Sequence, residues 1–215
     1  MRTVVLVVVL AACGSTPKRH FEIPTSTPAE YPGVLHDPAT LSANFFVRQT
    51  LTVHTTKDGK PVDAELDAVL QKQGDTLSVV GFGPMNVKAF TLVHKGDRIV
   101  FDQFVGPQLP FSPRNIVVDI HRVFFMRLPP PTDPKFTGVN KGELDGEHVE
   151  ETWKDGQLRA SVFTRPGDPK LKGAIRMQMS DGCDPQHCEP ETAMLRNEWF
   201  GYTLSIANQA YERLD

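Results

Sequence analysis

The sequence lacks two features that would place it in a large class of proteins. Beyond a short run near its start, the 215-residue chain has no apolar segment of the roughly 20 residues that a transmembrane helix needs. It also lacks an excess of basic residues, since 23 Lys and Arg stand against 26 Asp and Glu and the formal net charge is −3. Because lysines and arginines form no stripe, nucleic-acid binding is excluded. We therefore expect one soluble domain, with any membrane attachment confined to its N-terminus.

Recognisable catalytic motifs are absent as well. There is no G-x-S-x-G and no H-E-x-x-H, and the seven histidines include no pair at i and i+4. The acidic stretch between Glu143 and Glu151 could supply acid–base groups or bind a divalent cation. Its simpler interpretation is a solvated turn and the wet face of a hairpin. We therefore predict a protein that is not an enzyme and that carries no metal or cofactor.

The first thirteen residues have the layout of an export signal. Arg2 precedes an unbroken apolar run from Val4 to Ala12 that ends in small residues. Leu10-Ala11-Ala12-Cys13 further resembles the bacterial lipobox, which implies that residues 1–12 are removed and that Cys13 is acylated with palmitate-type chains. Several acyl chains together make a permanent membrane anchor. The sequence thus predicts a signal peptide (1–12) and a lipidated Cys13 on an envelope protein.

Cysteine is scarce, and only Cys183 and Cys188 remain once Cys13 is lipidated. The two are separated by four residues in a polar, proline-containing loop, and in an exported protein such a pair normally forms a disulfide. A zinc site made of both thiolates, His187 and either His148 or a carboxylate is the alternative. We predict the disulfide, which would fix a loop and perform no chemistry.

The segment that follows Cys13 has a composition typical of a tether. It is rich in Ser, Thr and charged residues and contains five prolines: Pro17, Pro24, Pro28, Pro32 and Pro38. Such a composition favours extended, solvated conformations over a packed core. We therefore assign residues 13–43 to a tether and residues 44–215 to a single domain.

From Asn44 onward the pattern is typical of antiparallel β-structure. Val62 to Leu70 alternates cleanly between apolar and polar residues, and other segments are more apolar on both faces. Asp-Gly and Gly-Asp turns recur between these segments and supply the positive φ that tight hairpins require. The sequence predicts an antiparallel meander of about nine strands. They fall at Phe45–His54, Val62–Gln71, Leu77–Phe82, Val87–His94, Ile99–Phe104, Gly146–Trp153, Leu158–Thr164, Gly173–Ser180 and Glu198–Ala207.

One amphipathic helix interrupts the strands. Ser112 is a suitable N-cap and Pro113 suits the first turn. One apolar face is predicted, while Arg114, Asp119 and Arg122 fall outside it; the face comprises Ile116, Val117, Ile120, Val123 and Phe124. A single amphipathic helix among strands normally covers an open sheet. Ile116, Ile120, Val123 and Phe124 are therefore predicted to form a lid.

The strands offer a large apolar face beneath this lid. We place on it Phe46, Val79, Phe90, Leu92, Phe101, Ile175, Met177 and Met179. Because methionine adapts to irregular ligands and an open sheet under a helix makes a natural cavity, we predict an acyl-chain cavity lined by Phe90, Leu92, Phe101, Met177 and Met179. The alternative is that the sheet and the helix pack shut into an ordinary core.

The order of elements resembles the LolA/LolB class of envelope lipoprotein carriers. It is also similar to an uncharacterised family of small proteobacterial lipoproteins associated with aryl polyene gene clusters. The local likeness lies in Arg48–Val53, Ala64–Leu70, Gly74–Leu77, Gly81–Pro84, Phe90–Leu92 and Pro107–Pro110. The resemblance implies a half-open antiparallel β-barrel (LolB-like) with a hydrophobic cavity. Since no aspartate follows Cys13, it also implies attachment to the periplasmic face of the outer membrane.

Two functions follow from these expectations. The first is an outer-membrane lipoprotein that binds an acyl, polyene or lipoprotein-lipid ligand in its half-barrel during envelope lipid transfer or localisation. The second is a non-enzymatic structural or assembly lipoprotein with a closed core that binds an envelope protein partner. A cavity large enough for a chain distinguishes the first from the second.

Overall fold

The computed structural model describes residues 16–25, 31–41, 44–57, 59–106, 112–165, 173–180, 183 and 189–214. Its elements are β1 (Arg19–Pro24), β2 (Phe45–Lys57), β3 (Lys60–Gln73), β4 (Thr76–Phe82), β5 (Lys88–Lys95), β6 (Arg98–Gln103), α1 (Pro113–Phe124), β7 (Gly138–Leu144), β8 (Glu147–Lys154), β9 (Gln157–Thr164), β10 (Ile175–Met179), β11 (Thr192–Asn197) and β12 (Tyr202–Arg213). Short 3-10 turns occupy Pro38–Thr40 and Pro84–Asn86. None of the helices in these ranges has the length and apolarity needed to cross a membrane.

All twelve strands form one antiparallel sheet. Its order is β1-β6-β5-β4-β3-β2-β12-β11-β10-β9-β8-β7, so two meanders meet at the β2–β12 pair in the centre. The strands β1 and β7 stand at the two ends of this order and do not pair with each other in the described part of the chain. The sheet is therefore an open half-barrel with α1 packed on one side.

The mainly β, open antiparallel fold agrees with the prediction, but the strand count of about nine is wrong. The three strands that were missed are β1, β7 and β11. β1 and β7 are the edge strands, where β1 lies in a proline-rich segment and β7 reads GVNKGEL. Charged residues and proline keep edge strands from pairing with other chains, so these strands often lack a clear alternation of apolar and polar residues. Their composition therefore resembles that of a loop.

Alternation fixes which side chains face the helix. In β8 buried and exposed residues alternate along the whole strand, as expected for a sheet with one covered face. In β2 the residues directed inward include Phe45, Val47 and Gln49. The placing of Phe46 on the inner face is wrong, because a one-residue shift along a strand moves a side chain to the opposite face.

Part of the predicted tether belongs to the folded domain. β1 pairs with β6 from Arg19↔Gln103 to Pro24↔Arg98. Farther along, Tyr31 is 2% exposed and belongs to the core. The prolines of this segment do not prevent packing, because Pro24 ends an edge strand and Pro38 opens a 3-10 turn. Cys13 and the predicted signal peptide lie outside the described residues.

The helix begins as predicted. Ser112 is the N-cap, its hydroxyl accepts a hydrogen bond from the Arg114 N–H, and Pro113 occupies the first turn. α1 differs from a simple amphipathic lid because its polar face is also buried. Asp119, His121 and Arg122 are at most 6% exposed. Something other than the sheet must therefore cover the outer face of this helix.

Two apolar clusters flank the helix. One lies under β8–β12 and includes Val149, Phe163 and Leu195, with Val118 and Val123 from α1. The other lies under β2–β6 and includes Leu70, Leu92 and Phe101, with Val117 from α1. The helix therefore joins the two halves of the sheet across the centre.

Candidate functional site

A cavity of about 190 Å³ lies between α1 and the centre of the sheet. Only three of its lining residues carry polar side chains: Gln49, Asp119 and Tyr202. The apolar lining residues are Leu51, Val53, Leu66, Ala68, Leu70, Val79, Phe90, Ile116, Ile120, Val123, Phe124, Leu195, Leu204 and Ile206. Predominantly apolar walls with a few polar groups are typical of sites for small hydrophobic ligands.

Small residues in the floor of the sheet leave this space open. Ala68 of β3 pairs with Gln49 on one side and with Gly81 on the other. The Phe90 ring lies over Gly81, where an added Cβ would come within 2.2 Å of the ring. The Phe90 ring fills the space above Gly81, so Ala68, which carries only a methyl group, is the place where the floor leaves a gap below the helix.

The cavity reaches the surface toward the turn between β2 and β3. Lining residues Val53, Leu66 and Leu204 are half-buried, whereas Ala68 and Leu70 at the other end are 1% exposed. The inner face continues past the helix along this hairpin, where Val62 is 39% exposed. An apolar strip therefore leads from the surface into the cavity.

The structure brings together five of the residues that the sequence analysis assigned to the cavity and lid: Phe90, Ile116, Ile120, Val123 and Phe124. It places the other four in the flanking clusters. Leu92 and Phe101 are buried under β2–β6, and Met177 and Met179 are buried under β8–β12. These four side chains contribute to the core and do not line this cavity.

The predicted disulfide falls only partly within the described residues. Cys183 is 1% exposed, and its Sγ lies 3.4 Å from the Met179 Sδ. Cys188 and His187 lie outside the described residues, so the Cys183–Cys188 bond stays a prediction. Among the described residues, no group of three or more His, Cys, Asp or Glu side chains is arranged to hold a metal ion.

A buried polar network borders the cavity on the helix side. Arg122 is fully buried and donates to Asp119 at 3.0 Å, to both carboxylate oxygens of Glu147 at 3.0 Å, and to the Tyr31 hydroxyl at 2.9 Å. Asp119 also accepts hydrogen bonds from the hydroxyls of Tyr31 and Tyr202. The arginine is thereby matched by two carboxylates, as a buried charge requires.

The environment fixes the charge states of this network. Burial, followed by the charge of Asp119, raises the pKa of Tyr31 and of Tyr202 well above their ordinary value. Burial alone would lower the pKa of Arg122, but the neighbouring Tyr31, Asp119 and Glu147 outweigh it and raise that pKa. Both tyrosines therefore remain neutral donors, and Arg122 remains charged.

Residues 31–41, which we call the strap, cover the outer face of α1. Arg122 donates to the Pro32 carbonyl at 2.8 Å and Arg114 donates to the Gly33 carbonyl at 3.0 Å. Gly33 has φ +111°, and an added Cβ would lie 2.5 Å from Val118 Cγ1. The helix is therefore held between the sheet and the strap.

Three histidines meet beside the strap. The rings of His36 and His94 lie 6.1 Å and 5.8 Å from the His121 ring. The backbone N–H of His36 donates to His121 Nδ1 at 3.4 Å, so the His121 ring accepts a hydrogen bond at this nitrogen. Burial, followed by His94, His36 and Arg114, lowers the pKa of His121 to about 3. His121 is therefore neutral at physiological pH.

Sequence reasoning missed this polar network and the strap. Within the acidic stretch, Glu147 and Glu151 point inward and are buried, so the interpretation as a wet hairpin face is wrong for these two residues. Glu151 accepts from the Leu128 N–H and from Trp153 Nε1. The i, i+3 spacing of Asp119 and Arg122 was the available signal, but nothing in the sequence indicated that Tyr31 would cover them.

The chain is thus an open antiparallel half-barrel with an apolar cavity under one helix. It belongs to the DUF3261 family of proteins of unknown function, whose model matches residues 47–210. No curated protein is similar enough to match.

Three solved structures are similar over most of their length. A LolA superfamily protein from Nitrosomonas europaea is 10% identical with a TM-score of 0.44, over 83% of this chain and 90% of that one. An outer membrane lipoprotein-sorting protein domain from Vibrio parahaemolyticus is 8% identical with a TM-score of 0.40, over 82% and 87%. A DUF1329 family protein from Desulfovibrio piger is 10% identical with a TM-score of 0.39, over 82% and 87%. Similarity at this level does not say what this chain binds.

Proposed function

We propose that the protein is a non-enzymatic envelope lipoprotein that holds a hydrophobic chain, acyl or polyene, in the cavity under α1. The observation that carries this proposal is the cavity itself, whose walls are apolar except for Gln49, Asp119 and Tyr202. Leaving apolar walls unpacked forfeits dispersion contacts that a closed core would make. A ligand chain would restore those contacts.

The size and opening of the cavity define how much of a ligand it holds. Its volume of about 190 Å³ is below the roughly 300–1,000 Å³ of pockets that enclose a drug-sized molecule. It therefore fits a segment of one chain, and the remainder extends through the mouth along the β2–β3 hairpin. Lipidation at Cys13, which remains a proposal, would keep the mouth close to a membrane, and we assign that membrane to the outer one.

The test is binding of the apolar fluorescent probe 1-N-phenylnaphthylamine to the purified full chain. We expect saturable fluorescence enhancement in the native protein. The Ala68→Phe variant places a ring in the cavity floor and should weaken binding by about tenfold or more, equivalent to at least about 1.4 kcal/mol. Val69→Phe adds a ring to the neighbouring residue on the opposite face of β3 and should bind as the native protein does.

Two controls make this result interpretable. Far-UV circular dichroism and the denaturation midpoint show whether each variant is folded. Absence of saturable binding to the native protein, or equal binding by folded Ala68→Phe and Val69→Phe, would contradict the proposal. The function would then be that of a closed-core lipoprotein that binds a protein partner.

A further inference from the structure

The polar groups of the cavity define what kind of chain it accepts. We propose that Gln49 selects a ligand that carries an uncharged hydrogen-bond donor, a hydroxyl or an amide N–H, within the cavity, and that the cavity discriminates against a carboxylate. This inference rests on the proposed function and specifies its substrate class.

A chain of hydrogen bonds fixes the orientation of the Gln49 amide. Asn208 Nδ2 donates to the Pro190 carbonyl, which leaves Asn208 Oδ1 as an acceptor. Gln49 Nε2 donates to that oxygen at 2.9 Å. The two residues are register partners on β2 and β12, next to a bulge that follows Asn208. The Gln49 amide therefore cannot rotate without losing its bond to Asn208.

This arrangement leaves Oε1 as the acceptor of a residue that lines the cavity. Gln49 is 5% exposed and lines the cavity wall. Nε2 is held by Asn208, and among the described residues no side chain or backbone group donates to Oε1. Gln49 Oε1 is not among the fully enclosed polar atoms that lack a partner, so a hydrogen-bond donor can reach it. A ligand hydroxyl or N–H that replaces water at this oxygen would form its hydrogen bond among apolar walls.

The other two polar groups do not offer a donor to a ligand. The Tyr202 hydroxyl already donates its proton to Asp119 Oδ2 at 2.5 Å, and the Asp119 carboxylate can only accept hydrogen bonds. No Lys, Arg or His side chain lines the cavity within the part of the chain that the structure describes. Arg122, which lies beside the lining residue Asp119, is already bound to Asp119 and Glu147. A ligand carboxylate would therefore meet the negative charge of Asp119 and no basic side chain, and the second N–H of Gln49 Nε2 is a neutral donor that does not compensate a ligand charge.

Displacement of 1-N-phenylnaphthylamine by three probes of matched chain length tests this inference on the full chain. Dodecan-1-ol carries a neutral donor, dodecyl methyl ether has none, and dodecanoate is an anion at pH 8. We expect dodecan-1-ol to displace the probe at about three- to tenfold lower concentration than the ether, the range for one net hydrogen bond. Dodecanoate should be the weakest of the three.

Gln49→Met keeps an unbranched side chain of similar length and removes the acceptor oxygen. This variant should bind dodecan-1-ol and the ether with about equal affinity, so that the preference for dodecan-1-ol is lost. The matched control is Gln71→Met, because Gln71 lies on the outer face of β3 and is bonded to Gln73. That variant should retain the preference.

The outcomes separate this inference from the proposed function. Equal displacement by dodecan-1-ol and the ether in the native protein, or a preference that persists in Gln49→Met, overturns the role of Gln49 while chain binding stands. Displacement by dodecanoate at or below the concentration of dodecan-1-ol overturns the discrimination against a carboxylate. If none of the probes and no 1-N-phenylnaphthylamine bind to the folded native protein, the proposed function fails and this inference fails with it.

Discussion

At the scale of single residues, Arg122 connects the cavity to the rest of the molecule. Its guanidinium contacts Asp119, Glu147, Tyr31 and the Pro32 carbonyl, which belong to α1, β8 and the strap. A buried ion pair contributes little net stability, but removal of one partner leaves a buried charge uncompensated. The network therefore specifies where the strap lies on the helix more than it adds to the total stability.

His121 makes the stability of the fold depend on pH. Its pKa is lowered from 6.5 to about 3 in the folded protein, because it is buried beside His94, His36 and Arg114. Between pH 6.5 and pH 3 the unfolded chain binds a proton at this histidine, whereas the folded protein does not. The contribution of His121 to stability is therefore complete above pH 6.5 and is lost as the pH falls from 6.5 toward 3. The free energy of unfolding should fall by about 2 kcal/mol between pH 7.5 and pH 5 from this residue.

Denaturant unfolding of His121→Gln over this pH range checks the prediction. The glutamine side chain cannot take up a proton. The free energy of unfolding of this variant should therefore fall less than that of the native protein as the pH is lowered from 7.5 to 5. His54→Gln is the matched control, since His54 is half-exposed and pairs with Asp63 at 2.9 Å. Equal pH dependence in native protein and His121→Gln would show that His121 is not the group responsible.

At the scale of elements, the strap determines whether the helix can move. Gly33 approaches α1 so closely that a methyl group would overlap Val118 and lie 2.9 Å from Arg122 Nη2. Gly33→Ala should therefore lift the strap from the helix and lower the free energy of unfolding by about 1–3 kcal/mol, the cost typical of overpacking.

Gly59→Ala separates this packing effect from backbone strain. Gly59 has φ +74°, but an added Cβ would have nothing within 4 Å. Both substitutions place alanine at positive φ, +111° at Gly33 and +74° at Gly59, and only the added methyl group at Gly33 also meets the helix. Denaturation midpoints should show a larger loss for Gly33→Ala. The same loss for both variants would mean that the strap does not press on α1.

Patterns among neighbouring residues predicted the helix and most strands better than they predicted which distant residues pack against them. The central strands, the Ser112 cap and the helix could be predicted because alternation, turn chemistry and capping are encoded in neighbouring residues. The strands β1, β7 and β11 and the burial of Tyr31 could not, because they depend on pairing with distant parts of the chain. The same limit applies to Leu92 and Met177, whose apolar character fits a core and a cavity equally well.

At the scale of the whole molecule, the cavity results from a sheet that does not close. Twelve strands form one open sheet with one helix on its inner side, and the small residues Ala68 and Gly81 lie on β3 and β4, in the half next to the central β2–β12 pair. The position of this gap depends on the register across β2, β3 and β4, which sequence alone does not reveal. The helix side of the cavity could be predicted, whereas its floor could not.

Native mass spectrometry of the full chain, purified from its own membranes, tests directly whether the cavity holds a chain. We expect one non-covalent lipid per protein, released on denaturation and identified by extraction, in the native protein and in Val69→Phe but not in Ala68→Phe. Release on denaturation distinguishes this lipid from covalent acyl groups at Cys13. A native protein without bound lipid, or the same lipid on folded Ala68→Phe, would contradict the account.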